Sequence, residues 1–262
     1  MGERIPPELV IVLDFGAQYS QLIARRIREC NVYCEILPSD TPVAEIQRLD
    51  PRGIVFSGGP ASVYEEGAPR CDPALFSLGI PILGICYGHQ LMAYTLGGDV
   101  VRSEHREYGR ADLFVDDPNH LFRGLEGERV CWMSHGDTVQ KAPPGFVRLA
   151  HTATTPVAAM AHLSRRLYGV QFHPEVTHTP WGKELLRNFV IDVCGCAGNW
   201  TMRSFIEVAT EQIRQTVGKG KVLCATSGGV DSMTLAALLR HAVPHQLTCV
   251  FVDHGLLRKG EP

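Results

Sequence analysis

The sequence predicts an α/β protein: a mixed, mostly parallel sheet flanked by helices, followed by the beginning of a second α/β domain. Three observations predict this fold class. Short β-branched runs alternate with helical patterns over the first hundred residues, an order that gives parallel sheets with right-handed crossovers. Residues 99–170 instead hold short segments of alternating polarity, which are typical of antiparallel strands. After residue 200 the strand–loop–helix order begins again.

The elements of the first domain follow from its apolar runs and the residues that end them. Residues 9–13 (LVIVL) form a continuous apolar run, which is typical of a strand buried on both faces. We predict further strands over 33–37, 53–56 and 81–85, and helices over 19–27, 44–49 and 88–96, the last ended by two glycines. Antiparallel strands are predicted over 129–132, 147–150, 157–161 and 166–172, and a closing helix over 183–193.

A linker near residues 196–199 separates two predicted domains, 1–196 and 197–262. The second holds a helix over 202–217, a strand over 221–225, a helix over 231–241 and a strand over 247–252. One strand–helix–strand unit already needs about 30 residues or more, so roughly sixty residues do not close a doubly wound domain. We therefore expect the chain to be a fragment whose second domain is truncated.

Composition excludes several classes of function. The chain is 45% hydrophobic and 20% charged with a net charge of −3, so no general affinity for nucleic acid or anionic membranes is expected. No apolar run approaches the roughly 20 residues that a bilayer requires. The nine cysteines are scattered, without paired C-x-x-C spacing. We expect reduced core thiols in a cytoplasmic protein and no certain metal site.

The stretch ILGICYGHQL places Cys86 between Gly84 and Gly88 at a predicted strand-to-helix junction. This is the cysteine form of a nucleophile elbow, in which a sharp turn holds the reactive atom above the sheet. The positive end of the following helix lowers the pKa of a thiol placed there. The Tyr87 amide, directly after the nucleophile, is predicted to donate to a developing oxyanion. The alternative is a buried cysteine between two packing glycines.

The stretch GVQFHPEV supplies a base and an acid for such a nucleophile, because His173 and Glu175 point to the same side of an extended segment that Pro174 stiffens. The alternative is a surface His-Pro-Glu turn. The stretch FSGGPASV places a tight glycine turn after another strand, and its Gly59 amide is predicted as a second oxyanion donor.

Together, GICYGHQ, SGGP and QFHPEV resemble the class I (triad) glutamine amidotransferases, which have a flavodoxin-like fold. The resemblance spans residues 9–194. It implies that Cys86 attacks the side-chain amide of glutamine, that His173 carries the proton and that Glu175 orients His173. It also implies a set of residues that hold the α-amino and α-carboxylate groups of glutamine. That set is Gly58, Gln90, Ser134, His135, Gly136 and Asp137.

A second motif, SGGVDS, lies between a predicted strand and a predicted helix. Its members are Ser227, Gly228, Gly229, Val230, Asp231 and Ser232. Hydroxyls and glycine amides at a helix N-terminus form a site for a pyrophosphate, and Asp231 is either a helix cap or a possible Mg²⁺ ligand. The alternative is a glycine-rich turn with an N-cap. The motif resembles the N-type ATP pyrophosphatases, which have an adenine nucleotide α-hydrolase-like fold, and it implies ATP with Mg²⁺ as the ligand of the full-length enzyme.

The two resemblances together imply a carbon–nitrogen ligase in which ammonia from glutamine aminates XMP after activation by ATP. They also imply a homodimer formed through a C-terminal domain that this chain lacks. The chain alone is expected to hydrolyse glutamine without a cofactor. The alternatives are the glutaminase of another amidotransferase, a cysteine hydrolase of a different elbow family, and a glutamine-binding module without catalysis. A hydrolase of another family would not need Gln90 or QFHPEV.

Overall fold

The structure is a computed structural model that describes residues 8–252, except for the side chains of 103–106 and 204. The chain divides into two units, with the border between Asn199 and Trp200. In the described range no helix is long and apolar enough to cross a membrane.

The first unit contains nine strands and four α-helices among its described residues. The strands are β1 (Leu9–Asp14), β2 (Tyr33–Pro38), β3 (Gly53–Phe56), β4 (Ile82–Ile85), β5 (Asp99–Val115), β6 (Glu128–Lys141), β7 (Val147–His151), β8 (Ala159–His162) and β9 (Leu167–Val170). The helices are α1 (Ser20–Arg28), α2 (Val43–Leu49), α3 (Tyr87–Thr95) and α4 (Gly182–Arg187), the last continued by a π-helical segment, Asn188–Val193.

All nine strands form one mixed sheet in the order β2-β1-β3-β4-β9-β8-β7-β5-β6. The strands from β2 to β9 in that order are parallel, and those from β9 to β6 are antiparallel. The coarse prediction of a mostly parallel, mixed sheet is therefore confirmed. The carboxyl ends of β1, β3, β4 and β9 meet at one edge, where ligands bind in open α/β sheets.

The parallel strands are buried because helices cover both faces of the sheet. Along β1, Val10 and Val12 pack into one hydrophobic cluster, and Ile11 and Leu13 pack into another. Successive strand side chains point to opposite faces of the sheet, so the continuous apolar run packs into both hydrophobic clusters.

The antiparallel part differs most from the prediction. Strand β5 has 17 residues and was not predicted, because its charge-rich sequence lacks a clean apolar alternation. Strand β6 has 14 residues, whereas only 129–132 was predicted. The assignment of 166–172 as antiparallel is wrong on one side: β9 pairs parallel with β4 and antiparallel with β8. The closing helix has α-helical geometry only to Arg187 before the π-helical segment.

The second unit contains α5 (Met202–Val217), β10 (Val222–Thr226), α6 (Val230–Ala242) and β11 (Leu247–Phe251). The two strands are parallel, and Cys224, Ala236 and Leu239 form a small buried cluster between sheet and helix. The assignment of this unit to an ATP pyrophosphatase domain, with a border at 196/197, stays a prediction.

Candidate active site

Cys86 occupies a strained turn between β4 and α3. Its backbone angles are φ 51° and ψ −103°, outside the region that L-residues usually adopt. A Cβ at Gly84 would lie 2.5 Å from the Gly88 carbonyl oxygen, and one at Gly88 would lie 2.5 Å from the Phe56 Cβ. Both glycines are therefore required for the helix to approach the sheet this closely. Strain of this kind concentrates at functional sites.

The thiol of Cys86 is 4% exposed and has polar neighbours on two sides. The sulfur donates to the Ser134 carbonyl oxygen at 3.6 Å and accepts from Gln171 Nε2 at 3.8 Å. Tyr87 is the first residue of α3, so its N–H has no acceptor within the helix. This amide and the helix N-terminus place partial positive charge beside the sulfur.

His173 and Glu175 form a buried pair beyond the end of β9. His173 Nδ1 lies 2.7 Å from Glu175 Oε1, and the two residues are 7% and 1% exposed. Among the described residues, His173 Nε2 has no hydrogen-bond partner. A Cβ built on Gly58 would lie 3.3 Å from His173 Cε1 and 3.7 Å from the Cys86 Cβ, so ring and thiol share one side of that glycine.

The charges around His173 decide its protonation. Burial lowers the pKa of His173, but interactions with Cys86 and Glu175 outweigh burial and hold the pKa well above the ordinary histidine range. The surroundings of His173 thus favour its charged form.

Three further contacts hold this histidine and its acid in place. The His173 amide donates to the Trp132 carbonyl oxygen at 3.0 Å, and Arg26 Nε donates to the Glu175 carbonyl oxygen at 3.0 Å. The Tyr19 ring meets the imidazole edge-on, with ring centroids 6.2 Å apart. Side chains from α1 and the backbone of β6 therefore fix the orientation that the sequence predicted from local spacing alone.

The glycine turn after β3 forms another wall of the site. Ser57 Oγ accepts from the Phe15 amide at 2.9 Å and donates to the Gly58 carbonyl oxygen at 2.8 Å. A Cβ at Gly59 would lie 2.6 Å from the Phe15 carbonyl oxygen, so the chain passes too close there for any side chain. Ser57 was not predicted as a site residue, although it begins the quoted SGGP motif.

These elements enclose a cavity of about 490 Å³ that is open to solvent. Nine predicted site residues line it: Gly58, Gly59, Cys86, Gln90, Ser134, His135, Gly136, Asp137 and His173. Tyr87 and Glu175 lie behind the wall rather than on it. The remaining lining residues were not assigned to the site: Gly16, Ala17, Gln18, Tyr19, Pro60, Ala61, Ser62, Glu65, Arg102 and Tyr108.

The loop that contributes Gly16 to Tyr19 is built by Asp14 at the end of β1. Asp14 Oδ1 accepts from the amides of Gly16 and Ala17 at 2.9 and 3.1 Å, and from Ser20 Oγ at 2.7 Å. This loop was not predicted as part of the site. The sequence signal that could have indicated it is an aspartate and a glycine directly after a buried strand.

Gln90 supports the wall of the pocket through its amide nitrogen. Gln90 Nε2 donates to the Asp137 carbonyl oxygen at 2.6 Å and lies 3.3 Å from Gln171 Oε1. The Asp137 carboxylate accepts from the Ser62 hydroxyl. The amide nitrogen of Gln90 is therefore engaged with the protein, and Asp137 contributes a carboxylate to the lining of the cavity.

His89 lies next to Gln90 but belongs to the core. It is fully buried, and its Nε2 lies 3.1 Å from the Val157 carbonyl oxygen. Burial lowers the pKa of His89 to about 3, so the ring is neutral.

The second predicted loop lies at the N-terminus of α6. Ser227 and Ser232 bring their hydroxyls within 3.2 Å of each other, and the Ser227 amide donates to Ser232 Oγ at 3.1 Å. Gly228 has φ 78°, and Val230 is 82% exposed. Asp231 lies in the first turn of α6. Amides and hydroxyls at the start of a 13-residue helix fit the phosphates of a nucleotide.

In the described range, no group of three or more His, Cys, Asp or Glu side chains is placed to hold a metal ion.

Comparison with known proteins identifies the family of the first unit. The family described as Glutamine amidotransferase class-I matches residues 11–193, and the chain belongs to this family. The elbow cysteine, the His–Glu pair and all of the mixed sheet except the first two residues of β1 lie within the matched residues. The class predicted from GICYGHQ, SGGP and QFHPEV is therefore confirmed.

Curated relatives narrow the class further. Proteins named GMP synthase [glutamine-hydrolyzing] from Carboxydothermus hydrogenoformans and Gloeobacter violaceus are both 60% identical to this chain, over 252 and 255 residues. The matches cover 96% and 97% of this chain but 50% and 46% of those proteins. The chain thus spans about half the length of the curated relatives it matches. Its two motif sets together predict similarity to a glutamine-hydrolysing GMP synthase, and these relatives confirm that prediction.

Solved structures agree with the fold. A crystal structure described as that of a GMP synthase subunit protein from Thermoplasma acidophilum is 32% identical, with a TM-score of 0.66, covering 76% of this chain and 98% of that chain. A glutamine amidotransferase from Thermotoga maritima is 21% identical, with a TM-score of 0.57 over 72% of this chain and 99% of that chain, and shows a similar fold.

Proposed function

We propose that this chain hydrolyses glutamine to glutamate and ammonia with Cys86, His173 and Glu175 as its catalytic residues. The observation that carries the proposal is the strained turn at Cys86, which holds a thiol beside a buried His–Glu pair at the wall of a cavity. A nucleophile, a base within reach of it and an acid that orients the base are the parts that acyl transfer requires.

The reaction proceeds in two halves. The proton of the Cys86 thiol passes to His173, and the sulfur attacks the side-chain carbonyl carbon of glutamine, so that a carbon–sulfur bond forms and the carbonyl oxygen becomes an oxyanion. The tetrahedral intermediate collapses as His173 gives a proton to the leaving nitrogen, which departs as ammonia and leaves a glutamyl thioester. His173 then takes a proton from water as the water attacks the thioester. The carbon–sulfur bond breaks, His173 returns its proton to the sulfur, and glutamate leaves the regenerated thiol. Glu175 stabilises the imidazolium in both halves.

The surrounding backbone and side chains supply electrostatic stabilisation and grip. The Tyr87 amide, at the start of α3, and the Gly59 amide, on the opposite wall, are the proposed oxyanion donors. The Asp137 carboxylate and the backbone of Ser134 to Gly136 are placed to take the α-amino group of glutamine. Arg102, an exposed cation on the pocket lining, is the group we assign to the α-carboxylate.

We further propose that the chain acts as part of a glutamine-hydrolysing GMP synthase. Support comes from the names of its relatives and from the Ser227–Ser232 loop. In that enzyme the second unit would begin an ATP pyrophosphatase domain that binds ATP with Mg²⁺ and activates XMP for amination by the released ammonia. Homodimerisation through a further domain and a cytoplasmic location belong to the same proposal. All nine cysteines are free thiols, which agrees with a reducing compartment.

The test measures glutamate release from glutamine by the 262-residue chain and by Cys86→Ala. We expect turnover that falls at least ~10³-fold in the variant, because removing a nucleophile leaves only binding and oxyanion stabilisation. Cys249→Ala, at an exposed cysteine of the second unit, is the matched control and should leave turnover unchanged.

A second measurement separates catalysis from simple binding. Diazo-oxo-norleucine, a glutamine-like electrophile, should label Cys86 in the wild-type chain and in Cys249→Ala but not in Cys86→Ala. Glutamine binding without turnover or labelling would instead establish a non-catalytic glutamine-binding module. Absence of binding, turnover and labelling in a folded chain would contradict the proposal.

A further inference from the structure

Glu107, on β5, has an unusual number of polar partners for a carboxylate outside the catalytic pair. Its Oε1 accepts from Thr152 Oγ1 at 3.1 Å and from the Thr154 hydroxyl, and its Oε2 accepts from Thr155 Oγ1 at 2.6 Å. The same Oε2 lies 3.2 Å from His135 Nε2. The side chain of Glu107 is 16% exposed, and that of His135 is 1% exposed.

These partners keep Glu107 ionised. Burial raises its pKa, but the His135 ring beside it and the hydrogen bonds from Thr154 and Thr155 outweigh burial and bring the pKa to about 2. A partly buried negative charge that receives several hydrogen bonds is fixed in position, because moving it would leave those donors unpaired.

His135 connects Glu107 to the substrate pocket, because its ring contacts Glu107 and the residue also lines the cavity. Its Nδ1 donates to the Asp137 carbonyl oxygen at 3.0 Å, while its Nε2 faces Glu107. Nδ1 is thus hydrogen-bonded to the backbone of β6, whereas Nε2 has no hydrogen-bond partner among the described residues and lies against the Glu107 carboxylate on β5. The ring spans a place where the β5–β6 register is irregular, between Arg102 and Glu107. Side-chain contacts hold the two strands together where regular pairing shifts.

From the Asp137 carbonyl the contacts continue to the nucleophile. The same oxygen accepts from Gln90 Nε2 at 2.6 Å. Gln90 Nε2 lies 3.3 Å from Gln171 Oε1, and Gln171 Nε2 reaches the Cys86 sulfur at 3.8 Å. The last contact is long and weak, so the chain of contacts fixes the pocket wall more firmly than it fixes the sulfur.

We infer that Glu107 is a positioning residue of the glutamine pocket, which acts through His135 to hold the Ser134–Asp137 wall where glutamine binds. This inference rests on the proposed glutaminase function, since it assigns the same pocket to glutamine. Glu107 lies outside the residues that line the cavity, and it touches none of the reacting atoms. Its effect is therefore on substrate binding and not on the chemistry of the thiol.

The experiment measures glutamine binding without relying on turnover. Cys86 is alkylated with chloroacetamide, a small electrophile that needs no α-amino or α-carboxylate contacts, and glutamine is added as a protectant. The variants are Glu107→Ala, which removes every contact, and Glu107→Gln, whose amide keeps the shape and offers an N–H to His135. Glu128→Gln, at an exposed carboxylate on β6, is the matched control.

We expect Glu107→Ala to raise the half-protecting glutamine concentration about tenfold or more, the scale of a lost hydrogen bond to a charged group. Glu107→Gln should lie between Glu107→Ala and the wild type, and Glu128→Gln should match the wild type. Without glutamine, the alkylation rate of Cys86 should stay within about fivefold in every variant, because only a weak sulfur contact joins the network. All measurements are made well below the unfolding midpoint of each variant.

Three outcomes overturn the inference in different ways. Protection of both Glu107 variants at the wild-type glutamine concentration would show that Glu107 does not position the pocket. A lowered unfolding midpoint with unchanged protection would make its role one of stability alone. A wild-type chain that glutamine does not protect would contradict the proposed function itself. If Glu107→Ala does not fold, the comparison of Glu107→Gln with Glu128→Gln decides.

Discussion

The loops at Cys86 and at Ser227–Ser232 have the same local plan, a parallel strand followed by a glycine-containing turn and a helix, but their surroundings differ. Strand β4 pairs with β3 and β9 inside a nine-stranded sheet, and Cys86 is 4% exposed. Strand β10 pairs with β11 in a two-stranded sheet of the described residues, and Val230 is 82% exposed. One sequence pattern thus gives a rigid, enclosed turn in the first unit and an open one in the second. Enclosure is what allows backbone strain, desolvation and a buried acid to act on one side chain.

The largest expected difference between the two loops is in the chemistry at Cys86. Glu175→Gln keeps the size of the side chain but removes the charge that orients and stabilises His173. We expect the rate of Cys86 labelling by diazo-oxo-norleucine to fall about 10²-fold or more, as losses of an orienting acid do in other triads. Asp231→Asn removes a charge from the open loop, and labelling should be unchanged. Equal labelling of Glu175→Gln and wild type would place the acid of this site elsewhere.

Replacing a glycine by alanine should lower the free energy of unfolding more at the Cys86 loop than at the Ser227–Ser232 loop. Gly88→Ala brings a Cβ within 2.5 Å of the Phe56 Cβ and 2.7 Å of the Phe56 carbonyl oxygen. Backbone and helix must shift, which we expect to cost roughly 2–3 kcal/mol of unfolding free energy. At Gly229 the nearest atom is Ser227 Oγ at 3.3 Å, so Gly229→Ala should cost less than about 1 kcal/mol. Denaturant unfolding of both variants, followed by near-UV circular dichroism, measures the contrast. A similar cost at the two positions would mean that the Cys86 turn has room to relax.

Removing a serine hydroxyl should also lower the free energy of unfolding more in the first unit than in the second, by a smaller amount. Ser57 Oγ is buried and serves two backbone groups, whereas Ser227 Oγ is paired with Ser232 Oγ near the surface. We expect Ser57→Ala to cost about 1–3 kcal/mol, because the Phe15 amide and the Gly58 carbonyl lose a buried partner. Ser227→Ala should stay within about 0.5 kcal/mol of the wild type. Both costs are measured from the midpoints of denaturant unfolding, compared for variants whose unfolding free energy has the same dependence on denaturant concentration. A larger loss at Ser227 would indicate that the second loop is more enclosed than its exposure suggests.

The sequence predicted the parts of the site whose partners are close along the chain. Cys86 between two glycines, and His173 two residues from Glu175, can be recognised because local geometry brings those groups together. Gln171 and Glu107 were not recognised because their contacts, to Cys86 and to His135, join residues far apart in sequence. Strand β5 was missed for a related reason: its pairing with β6 crosses a register shift, and its polar residues serve the site rather than a core.

The parallel strands were predicted closely, since burial on both faces gives a continuous apolar run that needs no knowledge of the partner strand. The role of Gln90 was carried over by resemblance alone. It was predicted to grip glutamine, and this role stays a prediction: the structure shows only that its amide nitrogen is engaged with Asp137 and Gln171.

The last expected effect concerns pH. The pKa of His173 in the folded chain is raised above the ordinary value of about 6.5, and part of that increase comes from Glu175. A raised folded-state pKa contributes stability that is complete below the unfolded pKa and is lost as pH rises through the folded pKa. The stability advantage of wild type over Glu175→Gln should therefore be greatest near pH 6 and should narrow towards pH 10, by roughly 1 kcal/mol or more.

Unfolding free energies of both chains at about pH 6, 8 and 10 test this pH dependence, with Asp231→Asn as the charge-matched control on the open loop. A gap that widens with pH would show that His173 is neutral in the folded chain. The imidazolium beside Cys86 would then form only during the reaction, and the enclosed turn would position the base without charging it in advance.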